Sequence, residues 1–318
     1  MNSIKILQTI TNQKILLPFF HTVAEGPLPH IKHLYRMKTV KEFIDDLNFL
    51  LKHFEPIDAE TLFYFHNNKI VPKKPVFHLT FDDGLKEIYE VVAPILLQKG
   101  VPATFFINSG FTDNKELFYR FHASLSIEEL AKKGKLTEQV KKEVLLCSYA
   151  EKDKLFSYFS QQQVYDFLNK EQPHLTTEQI QLLNNKGFTI GAHSIDHPYY
   201  HEIPFSEQLR QTRESLEFVS SIVNQKLRLF AFPFTDFNVS KKFFEELKSF
   251  VDLSFGTSGM KNEKVSFNYQ RIAGEKSNGT TIKAVIRKEC LKFLVNAIMK
   301  PAIHVNLISN LIQTKQPQ

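Results

Sequence analysis

Short apolar runs that stop abruptly at polar residues, with helical repeats between them, constrain this chain more than any other feature of its sequence. The runs are Val76–Phe81 before Asp82-Asp83-Gly84, Ala103–Ile107 before Asn108, Phe188–Ala192 before His193, Leu227–Phe232 before Pro233, and Val251–Phe255 before Gly256. Each reads as a buried strand, bounded by turn formers. Between them, Glu87–Gln98 repeats Ile88, Val91, Val92, Ile95 and Leu96 at helical spacing and stops at Lys99-Gly100. Ser206–Val223 does the same through Leu209, Leu216, Val219 and Val223. Strands alternating with helices predict βα units and a parallel sheet or barrel. In such folds chemistry collects at the C-terminal ends of the strands. Those ends carry Asp82 and Asp83, then His193 and His197, then Pro233–Asp236.

Composition narrows the class. At 318 residues, with 42% hydrophobic and 23% charged, the chain is neither disordered, collagenous nor a disulfide scaffold. Its 30 Phe and absence of Trp predict a core of rings with no polar atom. The net charge of +6 is too small to argue for nucleic acid. Cys147 and Cys290 lie far apart with no CxxC spacing, as reduced cytosolic thiols do. The N-terminal segment lacks a secretory pattern, and no stretch of about 18 apolar residues occurs, so the expected location is cytoplasmic.

Residues 112–178 break the rhythm. They are rich in Lys, Glu and Gln and predict helices at Ile127–Lys133, Thr137–Ser148, Lys152–Phe159 and Gln162–Asn169. A loop that long without structure is rare, so the segment reads as a helical insertion over the site side of a barrel, either a lid or a packing spacer.

Two elements carry the chemistry. Asp82 and Asp83 end a strand ahead of Gly84, where the turning chain lets both acids reach one pocket. An isolated DDG serves equally well as a helix N-cap. His193 and His197 have the i, i+4 spacing that zinc sites often use on a helical turn, although surface histidines share it. Together, one carboxylate and two imidazoles form a three-ligand set with a position left for water or substrate, suited to metal-assisted hydrolysis.

TFDDG, HSIDHP and FAFPF resemble the first three signature motifs of the polysaccharide deacetylase (NodB homology) superfamily, carbohydrate esterase family four. The flanks VAPILLQKGVPATFFIN and LTTEQIQLLNNKGFTIGAHS are similar too, so the likeness covers roughly residues 15–110 and 175–275. It implies an irregular TIM-like (β/α)7 barrel spanning residues 1–318, with the insertion at 112–178. It implies Asp83, His193 and His197 as metal ligands, usually for zinc, and Asp82 as general base. It also implies the backbone N–H of Phe234 as an oxyanion donor, and removal of N-acetyl or O-acetyl groups from a carbohydrate with release of acetate. Beside a divalent cation the Asp82 pKa should fall, which keeps it ionised.

Three positions depart from that pattern. No Arg adjoins Pro233, which leaves Arg228 and Arg271 as candidates to orient Asp82. No Leu-His pair supplies a general acid; His304 follows Ile303 instead, and the acid is unassigned. Asp236 and Asn238 follow the third motif as sugar contacts or turn residues. His21, after Phe19-Phe20, is a candidate to line the pocket, whereas His78 reads as an interior histidine. The tail at 281–318 is basic, with Ile282, Val285, Ile286, Leu294, Ala297 and Ile298 at helical spacing. Such a helix either packs on the barrel or docks on an anionic membrane face. The expectation is a metal-dependent carbohydrate deacetylase. The alternatives are a hydrolase of another C–N amide, such as a cyclic imide or ureide, and a non-catalytic sugar-binding relative.

Overall fold

The computed structural model describes residues 11, 13–261, 263–275 and 280–296. Its strands are β1 (Ile15–Leu16), β2 (Pro18–Phe20), β3 (Glu55–Pro56), β4 (Val76–Phe77), β5 (Leu79–Phe81), β6 (Ala103–Ile107), β7 (Thr189–Ala192), β8 (Leu229–Ala231), β9 (Leu253–Gly256), β10 (Asn268–Gln270) and β11 (Ile272–Ala273). The main sheet runs β10-β9-β8-β7-β6-β5-β2-β11, and each ladder in it is parallel. Its two ends are one stretch of chain, because β10 and β11 are separated only by Arg271. Asn268–Gln270 pairs with Ser254–Gly256, while Ile272 and Ala273 pair with Pro18 and Phe19. That split pairing closes a seven-position barrel, so the fold is the expected irregular (β/α)7 barrel. Since all the strands run one way, their C-terminal ends form one rim. The extra pieces β1, β3 and β4 make a small sheet where the chain enters β2 and β5.

Phenylalanine dominates the packing on both faces of the barrel wall. Phe20, Phe81, Phe105, Phe106, Phe230, Phe232 and Phe255 are all fully buried. Each such ring contributes on the order of 1.5–3 kcal/mol by leaving water. Phe20 stacks on Phe81 at 5.7 Å, and Phe106 meets Phe255 at 5.3 Å. Gly191 on β7 admits the Phe106 ring, which a Cβ there would strike.

Helices α1 (Val40–His53) and α2 (Ala59–Asn67) follow β2. A π-helical turn (Ile88–Val92) and α3 (Ala93–Lys99) link β5 to β6. The insertion holds α4 (Tyr119–Lys132), α5 (Glu138–Leu145), a 3₁₀ stretch (Tyr149–Ser157) and α6 (Gln161–Glu171); α7 (Thr177–Asn185), α8 (Phe205–Ile222) and α9 (Lys241–Leu247) return the chain to the barrel. The insertion has an apolar cluster of its own around Phe111, Phe118, Phe121, Ile127, Val144 and Leu155, and Phe234 from the rim packs against it.

The tail helix is described over 282–296. It buries Ile282, Val285, Ile286 and Cys290 and turns Leu291 and Val295 outward. The Ile282 N–H donates to Asp46 Oδ1 at 2.8 Å, and the Asp46 carboxylate is paired with Lys38. His304, Ala297 and Ile298 lie outside the described residues. No described helix is long and apolar enough to cross a membrane.

Candidate active site

The Asp82 N–H still donates to the Phe20 carbonyl at 2.9 Å, so this residue continues strand β5. The chain then reverses through left-handed backbone at Asp83 (φ 70°) and Gly84 (φ 59°). The reversal brings both adjacent carboxylates to the rim, where a regular strand would send them to opposite faces.

His193 ends β7, its N–H donating to the Ile107 carbonyl at 2.8 Å. His197 reaches it differently from the sequence expectation, since residues 193–197 are a loop and not a helical turn. Ser194 (φ 68°) and His197 (φ 62°) are both left-handed, and Ser194 Oγ accepts from the His197 N–H at 3.0 Å. The i, i+4 imidazoles converge because the loop is wound back on itself.

The result is a compact donor set. Asp83 Oδ1 is 3.5 Å from His193 Nε2 and 3.2 Å from His197 Nε2, and the two Nε2 atoms are 3.1 Å apart. All three residues are buried. His193 Nδ1 lies 2.8 Å from the Ala231 carbonyl and must donate to it, which leaves Nε2 as a bare lone pair. Asp83 Oδ1 has no hydrogen-bond partner. A buried carboxylate oxygen facing imidazole nitrogens at this spacing fits a cation. Around a tetrahedral zinc with bonds of about 2.1 Å, ligand atoms sit roughly 3.4 Å apart. This set therefore fits the expected metal by donor chemistry as well as by spacing.

Asp82 lies beside the set, its Oδ2 4.0 Å from His193 Nε2. Arg271 grips it with both terminal nitrogens, at 2.6 and 2.8 Å. The guanidinium is fully buried, donates to the Gly256 carbonyl and Thr80 Oγ1, and lies over the Phe19 ring at 4.6 Å. Burial raises the Asp82 pKa, but Arg271, His193 and His21 together outweigh it, so the carboxylate is held below its ordinary range. Arg228, the other candidate, is exposed on the flank of β8.

His21 ends β2 on the same rim. Its Nδ1 is 2.8 Å from Glu275 Oε2, and Glu275 Oε1 also accepts the His21 and Thr22 amides at 2.6 and 3.1 Å. Burial opposes protonation, yet Glu275, aided by Asp83 and Asp82, pushes the imidazole pKa up to about 9. Tyr35 packs on this ring at 4.8 Å. His78 is interior: it bonds the Ile57 carbonyl and Thr104 Oγ1, and burial lowers its pKa to about 4.

Phe234 follows Pro233 in left-handed backbone (φ 55°). Its ring meets His197 edge-on at 4.4 Å and stacks on Tyr199 at 3.9 Å. Asp236 is turned away toward the seam, where its carboxylate accepts from Asn268 Nδ2 at 2.9 Å and Gln270 Nε2 at 2.5 Å. Those bonds, both to Oδ2, make it a brace of the rim. Asn238 is an exposed left-handed turn residue (φ 59°). The sequence reading missed Glu275, Tyr35 and Tyr199. It also missed Asp196, which accepts from Tyr149 Oη at 2.6 Å, Lys152 Nζ at 3.0 Å and Gln211 Nε2 at 2.7 Å, tying the insertion to the histidine loop.

A family model described as polysaccharide deacetylase matches residues 69–249, more than half of the chain and inclusive of both aspartates and both histidines. The chain belongs to the polysaccharide deacetylase family. It is accordingly a hydrolase of carbon–nitrogen bonds other than peptide bonds. Solved structures similar to this polysaccharide deacetylase include a Streptococcus pyogenes deacetylase, PplD, in complex with acetate (16% identity, 82% of this chain and 92% of that one, TM-score 0.57). Others are IcaB from Ammonifex degensii (15%, 87% and 96%, 0.57) and a de-N-acetylase from Aggregatibacter actinomycetemcomitans (15%, 85% and 99%, 0.56). No curated protein matches the chain.

Proposed function

We propose that this chain is a metal-dependent deacetylase that hydrolyses the N-acetyl group of a carbohydrate to acetate and a free amine. The observation that carries this reading is the buried Asp83–His193–His197 set, whose ligand atoms all lie within 4.8 Å of one another and whose Asp83 Oδ1 has no hydrogen-bond partner. These three residues would hold the ion, zinc being the best match to one carboxylate and two imidazoles. When bound, it polarises the acetyl carbonyl and acidifies water.

The chain's own groups supply the rest. Asp82, kept ionised and fixed in orientation by Arg271, accepts a proton as water oxygen bonds to the acetyl carbon. The Phe234 N–H donates to the oxygen on which negative charge develops, a contribution typically of about 10²–10³ in rate. His21 ends β2 on the same rim and is paired with Glu275, which raises its pKa, so it is the group we assign to give the departing nitrogen its proton as the C–N bond breaks. Glu275 holds its Nδ1 and leaves Nε2 to deliver that proton. A cationic acid favours the amide over the ester, because an amine must be protonated to leave. One of the similar solved structures is itself a de-N-acetylase.

The test is product analysis with zinc-loaded protein on acetylated hexosamine oligomers, acetylated xylo-oligomers and a cyclic imide. Acetate with an equivalent of free amine supports the reading. Acetate without amine would indicate an esterase, and imide opening without acetate would indicate the rival amide hydrolase.

A further inference from the structure

The tail helix over 282–296 has two faces with different surroundings. One is covered by the barrel: Ile282, Val285, Ile286 and Cys290 are buried there, and the Ile282 amide is tied to Asp46. The other carries Ala284, Leu291 and Val295, whose spacing of seven and then four residues makes one stripe along the axis. Leu291 and Val295 are 55% and 56% exposed, although the helix already has an apolar face packed on the barrel.

Cations border that stripe. At about 3.6 residues per turn, Arg287 lies on one side of it and Lys288 and Lys292 on the other. All three share an open surface with Ala284, Leu291 and Val295. Lys292 is paired with Glu289 at 2.9 Å, whereas Arg287 and Lys288 have no ion-pair partner among the described residues. Glu289 is the sole acid between Thr281 and Gln318, against six Lys and Arg. Its side chain is buried, so the outward face of the described helix bears no negative group.

The pattern selects the occupant. An apolar stripe edged by long cationic side chains matches the boundary of an anionic bilayer, where Leu and Val enter the acyl region and Lys and Arg reach the headgroup phosphates. Nucleic acid offers nothing to the two apolar side chains at the centre. A second copy would set cations against cations, and two exposed side chains fall far short of the roughly 1,200 Å² that a stable interface buries. We propose that the outward face of this helix docks the enzyme on an anionic lipid surface, while its inward face holds the helix to the barrel. Each cation near such a surface raises partitioning by about fivefold, and salt screens that gain.

The test is co-sedimentation of the full chain with phosphatidylcholine vesicles, with and without about one-third phosphatidylserine, at rising KCl. Wild type should partition onto the anionic vesicles alone, and less as salt rises. Arg287→Gln/Lys288→Gln should weaken partitioning about 25-fold, about fivefold for each charge. Leu291→Ser/Val295→Ser should weaken it about tenfold through lost apolar burial. All four side chains are exposed, so neither pair should move the thermal midpoint. No partitioning, equal partitioning onto neutral and anionic vesicles, or wild-type partitioning in both variant pairs overturns the proposal. Dimerisation without lipid, abolished in Leu291→Ser/Val295→Ser, would overturn it in favour of a second copy. The readout is vesicle binding and not acetate, so the outcome is independent of the deacetylase reading.

Discussion

Replacing Arg271 by Met keeps much of the side-chain length and removes the charge, which leaves Asp82 buried without its partner. The pair is joined by two short hydrogen bonds and neither residue has appreciable solvent contact. At an effective dielectric near 20, charges about 4 Å apart attract by about 4 kcal/mol. Orphaning one member of a buried pair likewise costs about 3–5 kcal/mol. Arg271→Met should therefore lose about 3–5 kcal/mol in urea unfolding at pH 7. The loss should depend on pH with a definite sign. In the wild type the Asp82 pKa is depressed, so its contribution is present above the unfolded carboxylate value and fades as pH falls through the folded one. In the variant, burial raises that pKa above the unfolded value, so the ionised carboxylate destabilises at neutral pH. The gap between the two proteins should accordingly narrow toward pH 4. The acid limb of kcat should move to higher pH, because the base must be ionised to work. The double variant Asp82→Asn/Arg271→Met should show a coupling energy of about 2–3 kcal/mol. A loss under about 1 kcal/mol, the worth of a surface pair, together with an unmoved acid limb would refute the reasoning.

Glu275→Gln should lower the His21 pKa from about 9, moving the basic limb of kcat down by about 1–3 pH units, since the acid is lost as pH rises through that value; an unmoved limb would mean that His21 is not the acid. Asp196→Ala releases Tyr149 and Lys152, so amide exchange over residues 149–157 should quicken while zinc stoichiometry stays unchanged; equal protection would show that the tie does not hold the insertion. Gly191→Ala forces Phe106 aside and should cost about 1–3 kcal/mol in thermal or urea unfolding; a neutral effect would mean that the ring has room to shift.

Much of the barrel could be read directly because its strands are continuous apolar runs: Ala103–Ile107 appears in the structure residue for residue. The run Val76–Phe81 is broken at His78, where the strand bends between two sheets, a tertiary effect with no local mark. The closing segment Asn268–Ala273 was invisible for a different reason. It carries Asn, Gln and Arg, because half of it braces the rim and its central residue neutralises Asp82. The metal-set residues stand out through residue type and spacing, yet the loop that gathers them depends on left-handed backbone at Ser194 and His197, which neither residue type advertises. Glu275 is separated from His21 by 254 positions, and only the parallel barrel puts β2 beside β11 and makes them partners.

The central claim is tested most directly by titrating metal-free protein with zinc while following acetate release from an N-acetylglucosamine oligomer, with Asp82→Asn run in parallel. The account predicts that release rises in proportion to zinc bound, saturates at one ion per chain, and is lost in Asp82→Asn although that variant binds zinc equally well. Full release from protein stripped of metal, or an Asp82→Asn variant that turns over like the wild type, would contradict it.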